Sequence, residues 1–388
     1  MAAAKPKSKT KKPAKTPKIF KGLDGVIVDE TAVSKVMPET NSLTYRGYAV
    51  QDLCAHCCFE EVAYLLLNGE LPTKSQLAAF RRDERKRRDI SRDHVEVIRK
   101  FPKSAHPMDT LRTAVSYLGT TEIAWGGEAE RIDKRRAMDL LAKIPTMIAT
   151  DYRFRNGKNR YKPKPDLTMA ENFFHMCFGK VPPPEVVRAF DISLILYAEH
   201  SFNASTFTTR VIASSRSDIY SAVTGGIGSL KGPLHGGANE AVMHMFLEIG
   251  DPAKAERWMK DAIVKKKLIM GFGHRVYKWG DSRVPTMRAC LDDLAAWKGD
   301  DTWTRMSDGL QKVMLEEKNI HPNLDFPAGP AYYLMGFDID MFTPIFVMSR
   351  ITGWTAHYLE QNASNKLIRP LSAYTGKAQR KVKALVKR

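Results

Sequence analysis

Phe59 to Gln76 reads FEEVAYLLLNGELPTKSQ, and its spacing decides the class of fold. Phe59, Val62, Ala63, Leu66 and Leu67 recur at i, i+3, i+4, i+7 and i+8, which makes one apolar stripe along a helix and no period of two. Asn68-Gly69 closes that helix, and Pro72 bars its return. Thr73 with Gln76 then offers the reciprocal side-chain caps of a second helix. A helix, a stop and a new start follow one another within a single short stretch.

The same pattern extends toward the C terminus. Asp109 precedes Leu111, Val115 and Leu118, and Leu140, Leu141, Ile144, Met147 and Ile148 form another stripe. Pro182 to Pro184 opens a long apolar helix running through Ile192, Ile195 and Leu196 to His200, and Thr343-Pro344 caps one that carries Arg350, Trp354 and His357. Toward the N terminus, Gly22 to Thr44 is rich in small and β-branched residues and predicts short strands or turns. Sustained alternation is absent elsewhere, so the chain reads as all-α, a multi-helix protein with a short N-terminal β/turn segment and no Rossmann sheet. Met1 to Pro17 is Ala, Lys, Pro and Thr with almost nothing to bury, which predicts disorder. It lacks the apolar core of a secretory signal, and lysines without arginines suit a mitochondrial presequence poorly.

At 388 residues the chain is long enough for two domains or one large one. Hydrophobic content of 43% against 27% charge excludes a disordered composition. No apolar run is long enough to cross a bilayer, so no membrane partner is expected. Five cysteines, an odd number, argue against a disulfide framework and for a reducing cytoplasm. Cys54, Cys57 and Cys58 with His56 lack the second ligand pair of a zinc module, and no metal is expected. Of the net charge of +18, the lysines at 5, 7, 9, 11, 12, 15, 18 and 21 supply eight before the first acid, Asp24. Arg81 to Asp89, RRDERKRRD, interleaves acids and predicts a solvated helix face. No aromatic interleaving, helix-turn-helix or zinc signature accompanies the charge. No nucleic acid partner is expected, and a nucleic-acid-binding protein on an enzyme scaffold stays a remote alternative. A basic body also suits anionic metabolites.

Three breaks in the helical pattern carry the chemistry. Gly271 to Arg283 reads GFGHRVYKWGDSR, Lys231 to Asn239 reads KGPLHGGAN, and Asn323 to Gly329 reads NLDFPAG. The first lacks the Gly-Lys-Ser/Thr ending of a phosphate-cradling loop. Taken singly, Asp325 reads as a loop-capping aspartate, and His200 in AEHSFNAST as a helix-end histidine bonded to backbone. Taken together, His235, His274 and Asp325, each on a Gly- or Pro-marked break, form the set that acid/base chemistry needs.

In order and spacing these three segments resemble the active-site segments of the citrate synthase family, over roughly residues 18–377. PNLDFPAGPAYYLMGF, EHSFNASTFTTRVI and LIRPLSAYTG look closest to its bacterial 2-methylcitrate synthase branch. Ser282 departs from the proline that many members have before the arginine. The resemblance implies a tail (1–17), a large domain in two parts (18–235 and 332–388) and a small domain (236–331) that closes over a cleft. It implies condensation of propionyl-CoA, or alternatively acetyl-CoA, with oxaloacetate, followed by thioester hydrolysis. Asp325 would be the base, His235 the donor to the thioester oxygen and His274 the donor to the keto carbonyl. His200, Arg283, Arg350 and Arg369 would hold oxaloacetate, since guanidinium groups grip carboxylates in a bidentate way. Arg350 lies in the apolar run FVMSRITGW, where an unpaired cation is costly and a partner anion is expected. Coenzyme A would lie along Leu268, Ile269, Met270, Gly271, Phe272 and Gly273, with Lys278 near phosphate and Lys74 a further basic substrate contact. The CoA thioester is substrate, and no permanently bound cofactor is implied. Arg369 would reach the neighbouring subunit's site, implying an obligate homodimer with a shared active site in the cytoplasm.

Overall fold

The computed structural model describes residues 19–37, 39–121, 129–273 and 280–387. The predicted disordered tail, Met1 to Pro17, lies outside them. The described residues form sixteen α-helices and one small sheet. In the sheet, β1 (Ser34–Met37), β2 (Ser42–Tyr45) and β3 (Tyr48–Ala49) pair antiparallel in sequence order. Ser34 lies opposite Tyr45, and Val36 opposite Leu43. These strands are the predicted N-terminal β/turn segment, while the residues just before them are irregular apart from a 3-10 turn at Lys21–Leu23.

Two helices follow the sheet, α1 (Val50–His56) and α2 (Phe59–Asn68). Phe59, Val62, Ala63 and Leu66 of the predicted stripe are buried on α2 together with Glu60 and Leu65, Leu67 is half-buried, and Gly69 ends the helix at φ 95°. Thr73 caps α3 (Lys74–Arg87), accepting from Gln76 N–H at 3.3 Å while the Gln76 side chain accepts from Thr73 N–H at 2.8 Å. The basic run along α3 keeps Arg82, Lys86 and Asp89 exposed as its charges predict, but it also has a buried side. Phe80 and Glu84 are buried on it, and Arg88 is 2% exposed, gripping Glu84 through Nε and Nη2 at 2.8 and 2.7 Å. An i,i+4 acid lets this arginine enter the core.

The body continues through α4 (Arg92–Arg99), α5 (Pro107–Thr120), α6 (Ala129–Arg155), α7 (Met169–Phe178), α8 (Pro184–Tyr197), α9 (Ala204–Ser214) and α10 (Ile219–Leu230). Next come α11 (Ala238–Ile249), α12 (Ala255–Val264), α13 (Val284–Lys298), α14 (Thr302–Lys318), α15 (Asp325–Leu334) and α16 (Phe342–Ala363). Every residue of α16 from Phe342 to Tyr358 is buried, the mark of an internal helix. It packs against α6, α8, α9 and α10, so its polar side chains point at protein rather than water. The sequence expectation that Thr343 caps this helix is corrected. Met341 takes the cap position, and Thr343, inside the first turn, bonds Glu240 of α11 through its N–H at 3.2 Å and through its hydroxyl. A second group of contacts joins α11 and α13 to α15, and α12 to α14. Phe337, just past α15, stacks among Phe173, Phe174 and Phe190 at 5.2 to 5.7 Å and fixes that end against α7 and α8.

The chain divides into two compact units. One is Thr31–Leu367, described above, and the other is made by the described residues of the two ends, 19–30 and 368–387. In this second unit large apolar side chains stay exposed, among them Ile27, Leu371, Tyr374, Val382 and Val386. Among the described residues no helix is long and apolar enough to cross a membrane.

Candidate active site

The segment after α8 is the first wall. The predicted helix to His200 ends earlier, at Tyr197, because other donors take the carbonyls that would continue it. Arg350 Nε donates to Tyr197 O at 2.6 Å, and Thr352 Oγ1 to Ala198 O at 3.4 Å. The Tyr45 hydroxyl of β2 sits within reach of Ile195 O, Leu196 O and Glu199 O, at 3.1, 3.3 and 3.0 Å. Released from the helix, His200 is buried on irregular backbone, followed by Ser201 at φ 51°. A non-glycine residue in this region stores strain of order 1 kcal/mol, which the surroundings must hold.

The second wall is the turn after α10. His235 N–H donates to Gly232 O at 2.9 Å, and the half-buried ring lies edge-on to Phe346 at 6.3 Å. Its Nε2 accepts from the Ser205 N–H at 3.3 Å and lies 2.8 Å from Ser205 Oγ, which itself accepts from Trp354 Nε1 at 3.1 Å. An accepting Nε2 assigns the proton to Nδ1. Burial, and then the Arg350 cation, push this imidazole down to about 3, so His235 is a neutral donor.

Asp325 forms the floor. The NLDFPAG stretch is not the loop its Phe-Pro pair predicts, for Asp325 is the first residue of α15, with Pro327 in the opening turn where a missing N–H does no harm. Its N–H donates to Asn323 Oδ1 at 3.1 Å, and its Oδ1 accepts from the Tyr197 hydroxyl at 2.7 Å. Burial raises the carboxyl to about 6, against the Tyr197 hydrogen bond and the Arg283 and Arg350 charges that lower it. Burial and the adjacent Asp325 push the Tyr197 phenol well up, so it remains a donor.

Two arginines complete the cluster, and they differ. Arg350 is 1% exposed and lies over the Phe346 ring at 4.7 Å. No carboxylate of the described residues forms an ion pair with it, although burial pulls its guanidinium down to about 10 against the pull of Glu199 and Tyr45. Arg283, buried at the start of α13, grips Asp281 through Nε and Nη2 at 3.0 and 2.7 Å and reaches Leu196 O at 3.4 Å. Asp281 also accepts from Leu324 N–H at 3.2 Å, and Gln51 of α1 donates to Ser282 O at 2.9 Å. The end of the histidine loop is therefore tied both to the residue before Asp325 and to the sheet side of the body.

His235, Asp325, Arg283 and Arg350 thus gather, with His200 on the adjoining segment. His274 and Lys278 lie outside the described residues. The stretch from Leu268 to Gly273 runs beside the floor: Gly273 N–H donates to His321 O at 2.8 Å, Asn323 N–H to Gly271 O at 2.9 Å, and Asn323 Nδ2 to Gly273 O at 3.0 Å. Gly271 has φ 84°, and a Cβ there would come within 2.6 Å of Val242, so only glycine lets the loop lie on α11. These bonds occupy main-chain groups expected for coenzyme A and leave those of Leu268, Ile269, Met270 and Phe272. Lys74 is the exposed first residue of α3 and makes no hydrogen bond or ion pair with the cluster. Arg369 is exposed in the unit of chain ends.

Sequence reasoning missed Tyr197, Phe346, Ser205 and Asp281. Tyr197 and Phe346 fall on apolar helix registers and read as core, although a tyrosine there carries a hydroxyl that must find a partner. The five cysteines are free. Among the described residues, His106, Glu240 and Asp340 bring potential ligand atoms within 4.8 Å of one another. His106 Nδ1 accepts from Met108 N–H at 3.2 Å, which leaves the proton on Nε2, facing Glu240 at 3.2 Å. The nitrogen a metal would need is already a donor.

The family model for the C-terminal domain of citrate synthase matches residues 22–371. The chain is 56% identical over 367 residues to a citrate synthase of Mycolicibacterium smegmatis, covering 95% of this chain and 98% of the relative. It is 57% identical over 364 residues to a 2-methylcitrate synthase of Mycobacterium tuberculosis, covering 94% and 92%. The citrate synthase of Thermoplasma acidophilum, solved with carboxymethyl coenzyme A and oxaloacetate, superposes with a TM-score of 0.90 at 33% identity, covering 96% of this chain and 100% of that one.

Proposed function

From the premise that the chain belongs to the citrate synthase family, we propose that it is a 2-methylcitrate synthase, joining propionyl-CoA to oxaloacetate and hydrolysing the thioester to 2-methylcitrate and CoA. The observation that carries this reading is the pairing of a raised carboxyl, Asp325 at about 6, with a neutral donor imidazole, His235, beside a buried Arg350 that no carboxylate of the described residues neutralises.

The α-proton of a thioester is far less acidic than any carboxylic acid, so a carboxylate removes it only if the enolate is stabilised as it forms. Asp325 takes the proton, and His235 Nδ1–H donates to the thioester oxygen, an interaction worth about 3 to 4 kcal/mol in such sites. The enolate carbon attacks the keto carbon of oxaloacetate, whose oxygen takes a proton from His274. Water then cleaves the thioester, releasing CoA thiol and the new carboxylate.

Oxaloacetate is a dianion, and the Arg350 guanidinium suits one of its carboxylates; Arg283, its guanidinium held flat by Asp281 and Leu196 O, is the second arginine of the set, and His200 and Arg369 complete it. Coenzyme A lies along Leu268 to Gly273 with Lys278 near phosphate and Lys74 a further basic contact. The small domain, 236–331, closes toward the helices of 18–235 and 332–388 and excludes water. The exposed apolar side chains of the chain ends favour a second copy as their cover, which fits a homodimer in which Arg369 serves the neighbouring site. A cytoplasmic enzyme fits the free cysteines.

The 56% identity to a citrate synthase favours a second reading with acetyl-CoA. The two substrates differ by one methylene, which a pocket separates by only about 1 to 3 kcal/mol. Steady-state kcat/KM for each acyl-CoA at saturating oxaloacetate decides between them. A higher value for propionyl-CoA supports the first reading, and a higher value for acetyl-CoA the second.

A further inference from the structure

His200 is flanked by two residues that are pinned from opposite sides by one hydrogen-bonded circuit, buried at Glu199, His357 and Arg210. Glu199 is wholly buried, and its Oε1 accepts from Ser34 Oγ of β1 and from His357 Nε2 of α16, both at 2.9 Å. Ser34 Oγ in turn accepts from Ser201 N–H at 2.9 Å, holding the residue at φ 51° that turns the chain just past His200. His357 is itself oriented. Its Nδ1 accepts from Arg210 Nη1 at 3.1 Å, which fixes Nε2 as the donor, and Arg210 also bonds Glu360 Oε2 at 2.8 Å. The Phe202 ring packs edge-on to His357 at 5.5 Å and under the Arg210 guanidinium at 4.5 Å. Glu360 Oε1 closes the circuit by accepting from Ala32 N–H at 2.8 Å, beside β1.

This is more machinery than the end of α8 needs, because Tyr45, Arg350 and Thr352 already take its carbonyls. A buried, ionised glutamate beside a buried histidine is also an expensive way to fill space. What the circuit fixes is the backbone on both sides of a single side chain.

We propose that His357, acting through Glu199 and Ser34, is a positioning residue for oxaloacetate recognition: it sets the direction in which His200 presents its ring, and touches no substrate itself. The inference rests on the reading of His200 as an oxaloacetate contact. His357→Phe keeps the ring and removes the donor, whereas His357→Gln keeps an N–H toward Glu199 and an acceptor toward Arg210. His357→Phe should raise the KM for oxaloacetate by about tenfold, the scale of one charge-assisted hydrogen bond, with kcat at saturating oxaloacetate and the KM for acyl-CoA within about twofold of wild type. His357→Gln should restore oxaloacetate KM to within about threefold. A merely structural histidine would instead lower kcat and raise both KM values together, and that pattern overturns the proposal, as does no change in oxaloacetate KM.

His200→Ala is measured alongside. If it leaves oxaloacetate KM unchanged, the assignment of His200 fails and this inference with it. If it raises that KM while His357→Phe is silent, the inference alone fails. Should His357→Phe not fold, Ser34→Ala withdraws the hydroxyl shared by Glu199 and Ser201 and strands no charge. A selective rise in oxaloacetate KM from that variant supports the proposal, and its absence overturns it.

Discussion

Asp325 carries its proton to about 6, against an ordinary value of 3.8, because burial outweighs the Tyr197 hydrogen bond and the two guanidinium charges. As the proposed base, Asp325 must be ionised to act, so kcat/KM for acyl-CoA should fall on the acid side with a midpoint near 6. The Tyr197 bond lowers this pKa, so Tyr197→Phe should move the acid limb of the pH profile upward; a limb that stays put would remove Tyr197 from that role. The same shift bears on stability. Between the unfolded and folded pKa values the folded chain holds a proton that the unfolded chain has lost, so stability declines as pH rises from about 4 to about 6 and stays reduced above. Asp325→Asn removes that penalty. It should melt higher than wild type at about pH 8, by on the order of 1 to 3 kcal/mol, with the advantage gone by about pH 4. A variant less stable than wild type at the higher pH would mean that burial does not strain this carboxyl.

The element on which the site depends is α16, which meets the last turn of α8 through Ser349 and Arg350 and the segment after it through Thr352 and His357. Gly353 lets that segment lie against it. A Cβ there would collide with the Glu199 carboxylate and come within 2.6 Å of Ala198 O. Gly353→Ala should therefore destabilise by roughly 1 to 3 kcal/mol, read by denaturant unfolding, and raise oxaloacetate KM as well. Retention of both would mean that the segment has room to move. The helix itself was legible in the sequence, as were the stripe of α2, the Thr73-Gln76 capping box and the glycines around His235, since each is a local pattern with a local cause. What escaped reading was polar chemistry on apolar registers. Tyr197 and His357 sit where a helical wheel expects core, and their partners, Asp325 and Glu199, are far away in sequence. Arg88 escaped for the converse reason, because a basic run conceals the one side chain whose acid neighbour lets it be buried. The end of α8 was overextended because its terminator is Tyr45, on a strand.

Arg369 decides how many chains make a site. If Arg369 serves the neighbouring subunit, mixing Arg369→Ala with Asp325→Asn should regenerate activity, since one hybrid site receives both intact residues; no recovery after verified subunit exchange would confine Arg369 to its own subunit. Within each site, Asp325 is the proposed base of an acyl-CoA and oxaloacetate condensation. The direct measurement is release of CoA thiol from propionyl-CoA and oxaloacetate by wild type and Asp325→Asn, with oxaloacetate affinity taken by calorimetry on both. The account predicts a loss of at least about a thousandfold in turnover, with the dissociation constant for oxaloacetate within about threefold. Turnover by Asp325→Asn within about tenfold of wild type would contradict it.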